Sequence, residues 1–516
     1  MCNSLAAAAA VAFLGFAASL EGQTCVPAVA PKSLAGQRPL EINTGVAPGT
    51  CGFLQFAWQD FLALSWPPLT IDPNNGTSQS RGLPDPSQVI GQNGDNPTVW
   101  EQDQPNWYLF QPNNPPPTAV NGNSFAAWNK FAALPSACGP QNLSPPPRIL
   151  SSLSKFDAMP GVAQAFSAPM IDQDGYYARY EIVLDYPAFN YVNSNQFYLL
   201  SNVTAFAQKG TGFSFPVQNG STPGATFIKA AWKTLSAAEI NSGRYHTAKA
   251  FLFTPSATGL QQTCAGPVTV GLVGLHIVHK TQDFANYLWA TFEQVDNTPA
   301  DPSNLGPTPP EGWGFFKPGS STAPNKMPGC PATGVSPPPF SCDFQPTSSH
   351  LGANPNDKTG GPTQAVRLNP IPKSPNNGSG QLLQINAAVQ SALQAINASS
   401  VWQFYELVDA QWQTSAPPQT CASAGPFFPP NNVANMTMET YHQTGSPISS
   451  CMTCHKGSTA PSPPAGQPPA KVCSDMTFEL TLAWAPTQLP AGRVPGLKPS
   501  ATHVSSAKST KKEAEK

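Results

Sequence analysis

The sequence predicts a mixed α+β protein with a β-rich central body, flanking helices and a C-terminal segment packed against the body. Apolar residues recur with helical spacing towards both ends of the chain, whereas stretches in the middle alternate apolar and polar residues as a β-strand does. The small size of the C-terminal segment predicts that it packs against the body. The segment from Cys421 to Trp484 has about 64 residues, many of them Pro, Gly and Ser, which is marginal for an independent core. We therefore expect it to share the core of the body.

Helical spacing is clearest in two stretches. Between Phe53 and Trp66 the apolar residues, including Trp58, fall on one helical face, and two prolines end the pattern. Residues Leu382 to Ile396 form the second such helix, beyond the strands of the body. Shorter patterns predict helices at 125–131 and 433–444.

The middle of the chain predicts strands. Between Tyr176 and Tyr186, the residues Ala178, Tyr180, Ile182 and Leu184 point to one side, and charged residues point to the other. Further stretches of alternating or β-branched residues lie at 227–235, 247–254, 268–279, 401–412 and 476–484.

Two stretches predict neither helix nor strand. Residues 297–380 are rich in Pro, Gly, Ser and Asn, and predict a long ordered loop or linker. The Lys- and Glu-rich tail at 486–516 predicts disorder. We find no internal repeat.

Composition excludes several classes of function. Only 10% of the residues are charged and the net charge is −2, so no basic surface is available for nucleic acid or an anionic membrane. The sequence contains no Gly-rich phosphate loop, nucleophile elbow or clustered carboxylate motif. Hydrolase and kinase activities therefore have no support.

The first 24 residues predict a secretory signal peptide. The apolar run from Leu5 to Leu20 has small residues at its end and is too short and Ala-rich for a transmembrane helix. No later stretch is apolar enough to cross a membrane. We therefore expect a chain exported to the periplasm or the cell exterior of a bacterium.

The motif Cys451-Met452-Thr453-Cys454-His455 carries the strongest chemical signal. Cys-x-x-Cys-His is the pattern that attaches a c-type haem: the two thiols bond to the haem vinyl groups, and the His binds the iron. The sequence therefore predicts one covalent haem held by Cys451, Cys454 and His455, with residues 421–485 as the haem-binding segment and 25–420 as the body.

The cysteines outside the motif fit an oxidising compartment. Eight remain beyond the signal peptide, which is an even number and predicts a disulfide framework in an exported chain. Pairing of Cys330 with Cys342 and of Cys421 with Cys473 is expected from their positions. The eight are Cys25, Cys51, Cys138, Cys264, Cys330, Cys342, Cys421 and Cys473.

The second axial ligand of the iron is open. His276 lies among aliphatic residues and is the best distant candidate, although a core hydrogen-bonding role is the alternative. His276 and His279 do not predict a zinc pair, because residues three apart on a strand point to opposite faces. Candidates closer to the motif are Met436, Met438, His442 and Met476.

Several stretches together resemble a group of exported bacterial cytochrome c family proteins. This resemblance extends over most of the chain and implies a single-haem exported protein, with Cys451, Cys454 and His455 as the functional positions. It implies no particular reaction. The stretches are 58–67 (WQDFLALSWP), 271–281 (GLVGLHIVHKT), 289–297 (WATFEQVDN), 438–441 (METY) and 450–455 (SCMTCH).

Three functions are compatible with the sequence. The first is electron transfer through one haem to or from a partner redox protein. The second is haem-dependent catalysis, peroxidase- or oxidase-like, which the size of the body favours and the lack of an evident acid–base pair does not. In the third, a non-redox secreted, disulfide-rich binding protein, Cys451 and Cys454 form a disulfide or join a zinc site with Cys473 and His442.

Overall fold

A computed structural model of the chain describes residues 25, 38–42, 50–69, 82–91, 96–110, 148–150, 170–210, 212–256, 259–326, 362–374, 377, 380–413, 425–430, 432–443, 449–461 and 472–483. The predicted α+β class is confirmed, since a central sheet is covered by helices and loops. The helices are α1 (Cys51–Leu64), α2 (Asn106–Leu109), α3 (Tyr186–Ser194), α4 (Leu200–Ala207), α5 (Ala237–Ser242), α6 (Gln381–Ile396) and α7 (Cys451–His455). The strands are β1 (Gln104–Pro105), β2 (Arg148–Leu150), β3 (Arg179–Leu184), β4 (Thr226–Thr234), β5 (Thr247–Ser256), β6 (Gly259–His279), β7 (Leu288–Gln294), β8 (Tyr405–Gln413) and β9 (Phe427–Phe428).

The sheet is mostly antiparallel. Its main path runs β1-β3-β4-β6-β7-β8-β9, and β5 joins it through β6. The short β2 pairs with β5 in parallel. The long strand β6 pairs with β4, β5 and β7, so it lies at the centre of the sheet. His276 and His279 are both on this central strand, as predicted.

One face of the sheet is covered by α1 and α6. Phe61 of α1 stacks on Phe292 of β7 with ring centroids 4.3 Å apart. The indole of Trp58 donates to the Asn386 side chain of α6 at 2.9 Å. Both helices were predicted, and the apolar stripes that predicted them are the surfaces that they bury.

The opposite face carries α3, α4 and the C-terminal segment. Aromatic residues of the sheet and of the loop after α4 pack there with apolar residues around the motif. Asp185 caps α3 by accepting from the Ala188 N–H at 3.1 Å, which explains why the predicted strand between Tyr176 and Tyr186 ends at Leu184.

Gly274 on β6 allows the C-terminal segment to lie directly on the sheet. A side chain at this position would collide with Thr437 and with the Asn435 amide, whose Oδ1 would lie 2.8 Å from the added Cβ. The Asn435 amide also donates to the Phe292 carbonyl at 2.9 Å. The segment therefore contacts the backbone of the body, and this packing agrees with the prediction that it shares the core.

The predicted helix at 433–444 is wrong. The Asn435 side chain accepts from both the N–H and the hydroxyl of Thr437, and the Glu439 carboxylate accepts from the Asn435 N–H. These side-chain bonds compete with helical ones. Only a 3-10 turn, Thr440–His442, forms in the described part of this stretch.

Two strand predictions need correction. At 401–412 the first four residues form a 3-10 turn, Val401–Phe404, which buries Trp402 before β8 begins. At 476–484 the chain forms a turn followed by the 3-10 turn Glu479–Leu482. The alternating apolar residues there, Met476 and Leu480 among them, reach one core cluster without forming a strand.

Several predictions fall on other parts of the chain. The signal peptide at 1–24, the helix at 125–131, the middle of 297–380 and the tail at 486–516 lie outside the described residues. The described parts of 297–380 are mainly loops and include the 3-10 turn Ile371–Lys373. None of the described helices is long and apolar enough to cross a membrane.

Part of the predicted disulfide framework lies within the described residues. A disulfide joins Cys25 to Cys51 at the start of α1. Cys473 is also disulfide-bonded. Cys330, Cys342 and Cys421, which the two expected pairings involve, lie outside the described residues.

Candidate functional site

The Cys-x-x-Cys-His motif forms the short helix α7, which is fixed to the sheet at its first turn. Ser450 caps the helix, because its Oγ accepts from the Thr453 N–H at 3.1 Å. Gln411 of β8 reaches the same turn: its Oε1 accepts from the Met452 N–H and its Nε2 donates to Ser450 Oγ, both at 2.9 Å. The orientation of α7 is therefore set by a side chain of the body.

Cys451, Cys454 and His455 lie within this turn and are all half-buried. Residues three apart on a helix lie on the same side of it. The two thiols therefore point to one neighbourhood, which is the arrangement that two thioether bonds to one porphyrin edge require.

The His455 ring is held by a hydrogen bond and by two aromatic contacts. Its Nδ1 lies 2.8 Å from the carbonyl oxygen of Met476, and its ring packs on Trp289 and Phe478 at centroid distances of 4.5 and 4.9 Å. Because a carbonyl oxygen only accepts, Nδ1 carries the proton. In the neutral ring the lone pair is then on Nε2, the nitrogen that an iron would bind.

A tight turn at residues 474–477 presents the Met476 carbonyl. Asp475 and Met476 have φ angles of 57° and 58°, and the Thr477 N–H donates to the Ser474 carbonyl at 3.3 Å. Asp tolerates this left-handed conformation, but it costs a residue such as Met roughly 1–2 kcal/mol. Contacts with the surrounding structure have to hold the turn in place.

Asp475 is the anchor of this turn. Its Oδ2 accepts from the buried Lys280 ammonium at 2.5 Å, from the Phe215 N–H at 2.6 Å and from the Tyr287 hydroxyl at 3.3 Å. Burial lowers the pKa of Lys280, and the Asp475 carboxylate opposes that shift. Burial raises the pKa of Tyr287 well above its usual value, and the Asp475 charge raises it further. The tyrosine is therefore a neutral donor.

A buried carboxyl, Glu479, lies directly after Phe478. Its Oε2 accepts from the Asn106 amide at 3.0 Å. Burial raises the pKa of Glu479 to about 7, and the Asn106 hydrogen bond and the Lys229 charge counteract this shift only partly. This raised pKa follows from the burial of the side chain, which is only 4% exposed.

His276 contacts protein groups through both ring nitrogens. Its Nδ1 lies 3.0 Å from the Thr291 hydroxyl, and its Nε2 lies 3.0 Å from Glu439 Oε2. This arrangement corresponds to the core hydrogen-bonding alternative and disfavours iron ligation. His279 points to the other face of the sheet, where its Nδ1 lies 2.8 Å from Asp60 of α1. The two rings therefore lie on opposite faces of the sheet, as their spacing on a strand predicts.

The candidates before the motif lie elsewhere in the core. Met436 and Met438 are buried in a cluster around Tyr180, separate from the cluster that contains Met452 of the motif. His442 ends a 3-10 turn and is half-buried.

Met476 lies beside the motif, where its backbone contacts His455. Its carbonyl bonds to Nδ1 of His455, whereas an iron would bind the opposite nitrogen of that ring. The Met476 carbonyl therefore lies at the ring nitrogen that would not bind an iron.

A further buried histidine of the body, His246, is paired with a carboxylate. His246 Nε2 lies 2.8 Å from Glu101 Oε2, and its ring stacks on Trp402 at 4.8 Å. Arg148 Nη1 bonds to Glu101 Oε1 at 3.2 Å. Burial alone would raise the pKa of Glu101, but His246 and Arg148 lower it to about 2.

Several residues of the site could not be found from sequence patterns. Gln411 and Lys280 belong to or follow ordinary strands, and Asp475-Met476 is not a typical turn pair, since left-handed turns favour Asn-Gly or Asp-Gly. The only signal is the Asp, which tolerates the left-handed region.

A structural zinc site has little support. Among the described residues, no group of three or more His, Cys, Asp or Glu side chains is arranged to hold a metal ion. Cys473, which the zinc alternative requires, is disulfide-bonded. A haem makes different demands: two thiols and one oriented imidazole.

No family model, no curated protein and no solved structure matches this chain. The function is therefore argued from the geometry of the site.

Proposed function

We propose that this chain is an exported c-type haem protein that transfers electrons to or from a partner redox protein. The observation that carries the proposal is the His455–Met476 hydrogen bond. A metal-binding histidine usually donates its other ring N–H to a carbonyl or carboxylate, which fixes the tautomer and the ring orientation. His455 has this arrangement directly beside the two motif cysteines.

The residues present fit a covalent haem. Cys451 and Cys454 would form the two thioether bonds, and His455 Nε2 would bind the iron. Trp289 and Phe478 pack on the imidazole and would restrict water around it. A haem bound in this way supplies one-electron redox chemistry.

The surroundings favour electron transfer over catalysis. The acidic group next to the site in sequence, Glu479, accepts a hydrogen bond from the Asn106 amide, so its carboxyl is held by the body. Acid–base assistance to a bound substrate would need a carboxyl that faces the haem. The His455 side is built to hold an imidazole still, which suits a carrier whose ligand stays bound in both oxidation states.

The test is covalent attachment of haem in the full chain. We expect protein made together with cytochrome c maturation machinery to stay coloured after acid–acetone extraction and to show a reduced-minus-oxidised haem spectrum. Cys451→Ala or Cys454→Ala should weaken attachment, and the double variant should abolish it.

A matched control removes two cysteines elsewhere. The Cys25→Ala, Cys51→Ala double variant loses the disulfide at α1 and should still retain haem. If the wild type is colourless, or if its pigment is extracted, the proposal is wrong. If the two motif cysteines then reacted with an alkylating reagent only after reduction, they would form the disulfide of the non-redox alternative.

A further inference from the structure

We propose that Lys280, Tyr287 and Asp475 form a positioning cluster that holds the Met476 carbonyl on His455 Nδ1 and thereby sets the reduction potential of the iron. This inference rests on the proposed haem site and extends it to residues whose hydrogen bonds meet at the Asp475 carboxylate. They act through the Met476 carbonyl. The cluster is therefore a set of positioning residues.

The turn at residues 474–477, which presents the Met476 carbonyl, is strained. Asp475 and Met476 are consecutive non-glycine residues with positive φ, a conformation that Met disfavours. Such a turn persists only where the surrounding structure determines it. Without an anchor, the Met476 peptide would be free to rotate, and its carbonyl would leave His455 Nδ1.

Asp475 anchors this turn through three hydrogen bonds. Lys280, Tyr287 and the Phe215 N–H converge on a single carboxylate oxygen, Asp475 Oδ2. The Lys280 ammonium and Asp475 are both buried. Charge-assisted hydrogen bonds in such surroundings are the strong ones. Since Lys280 and Tyr287 flank the connection between β6 and β7, the turn is tied to the centre of the sheet.

The Met476 carbonyl links this turn to the proposed iron ligand, His455. A hydrogen bond from Nδ1–H to a carbonyl makes the imidazole a stronger electron donor, and the oxidised iron gains more from that than the reduced iron does. Loosening the carbonyl should therefore raise the reduction potential. Trp289 and Phe478 keep the ring packed, so the effect is one of donor strength and not of ligand loss.

The experiment compares variants of the haem-loaded full chain. Lys280→Met removes the charge and keeps the length of the side chain, and Tyr287→Phe removes only the hydroxyl. We expect both to retain covalent haem and to have a higher midpoint potential, the shift being larger for Lys280→Met. For Lys280→Met, the reduced-to-oxidised ratio at a fixed ambient potential should rise by up to about tenfold, which is 59 mV for a one-electron couple.

Lys233→Met is the matched control. Lys233 is equally buried and pairs with Glu239 at 2.8 Å, in a part of the core away from the motif. Its loss tests the general effect of removing a buried ammonium. Unchanged potentials in both cluster variants, or an equal shift in the control, would overturn the inference.

A readout without haem separates this inference from the proposed function. In the Cys451→Ala, Cys454→Ala chain, ¹⁵N NMR of His455 should show the Nδ1–H tautomer, and Lys280→Met or Tyr287→Phe should shift its resonances. If Lys280→Met does not fold, Tyr287→Phe carries the same test with a smaller shift. A haem-loaded wild type with an unperturbed His455 in the variants refutes the cluster alone, whereas a colourless wild type refutes the haem proposal.

Discussion

Two regions of this molecule each combine a histidine, a buried glutamate and a tryptophan packed on the histidine ring, and they connect these groups differently. In the body, His246 bonds to Glu101 and stacks on Trp402. At the motif, His455 bonds to a backbone carbonyl and packs on Trp289, while Glu479 bonds to an amide.

The difference lies in the charge of the partners. Glu101 faces His246 and Arg148, and its pKa is lowered to about 2 in spite of burial. Glu479 faces the neutral amide of Asn106, and burial raises its pKa to about 7. In the body, the His246 imidazole bonds to the Glu101 carboxylate, and this pair is a structural contact. At the motif, the His455 ring bonds to the neutral Met476 carbonyl, so Nδ1 carries the proton and Nε2 has the lone pair.

The largest expected effect separates the two histidines. His246→Ala removes one partner of a buried pair and should lower the free energy of unfolding by about 3–5 kcal/mol, measured by urea unfolding. The haem spectrum should be unchanged. In haem-loaded protein, His455→Ala should remove the proposed iron ligand and change the Soret and charge-transfer bands, with a loss of stability of about 1–2 kcal/mol because the ring is half-buried.

The contrast between the two histidines is refuted if His246→Ala changes the iron spectrum and His455→Ala mainly lowers stability. A changed iron spectrum in His246→Ala, with normal stability, would make His246 a ligand. His276→Ala serves as the second control, because its ring bonds to Thr291 and Glu439. We expect it to lose stability and to retain the iron spectrum.

The two glutamates should give opposite dependences of stability on pH. Glu101 has a folded-state pKa of about 2, below its usual value of 4.5, so its contribution is present above pH 4.5 and is lost as the pH falls towards 2. Glu479 has a folded-state pKa of about 7, so the folded state binds more protons between pH 4.5 and 7. Stability should therefore fall as the pH rises through that range.

Isosteric variants test this directly. Glu101→Gln should lower the free energy of unfolding at pH 7 by about 3 kcal/mol, and Glu479→Gln should raise it at pH 8 by up to about 3 kcal/mol, since each unit of pKa shift is about 1.4 kcal/mol. Urea unfolding from pH 2 to 8 measures both. Equal slopes in the wild type and in Glu479→Gln would show that Glu479 does not titrate in this range.

Sequence patterns predicted the parts of this fold that depend on local periodicity. The helices α1 and α6 and the strands β4 and β6 bury wide apolar surfaces, and such surfaces are visible as helical spacing or as β-branched runs. The motif is visible because its chemistry requires adjacent residues.

Residues that act through long-range contacts could not be predicted. The bond from His455 to Met476 depends on a left-handed turn that Asp475 and Lys280 hold, and these two residues are 195 positions apart. The helix predicted at 433–444 failed for a related reason: Asn435 bonds to Thr437 and to the sheet, and apolar spacing does not reveal such side-chain bonds.

The smallest expected effect concerns the caps of two short helices, one in each region. Ser450 caps α7, and Ser236 caps α5 through a reciprocal bond with Glu239. Ser450→Ala should cost about 1 kcal/mol locally, which means roughly fivefold faster exchange of the Thr453 amide. Because Gln411 still bonds to the Met452 N–H, the helix should remain in place. Ser236→Ala should accelerate exchange only in α5 and leave the motif unchanged. If Ser450→Ala left exchange of the Thr453 amide unchanged, Gln411 alone would be sufficient to hold α7 on the sheet.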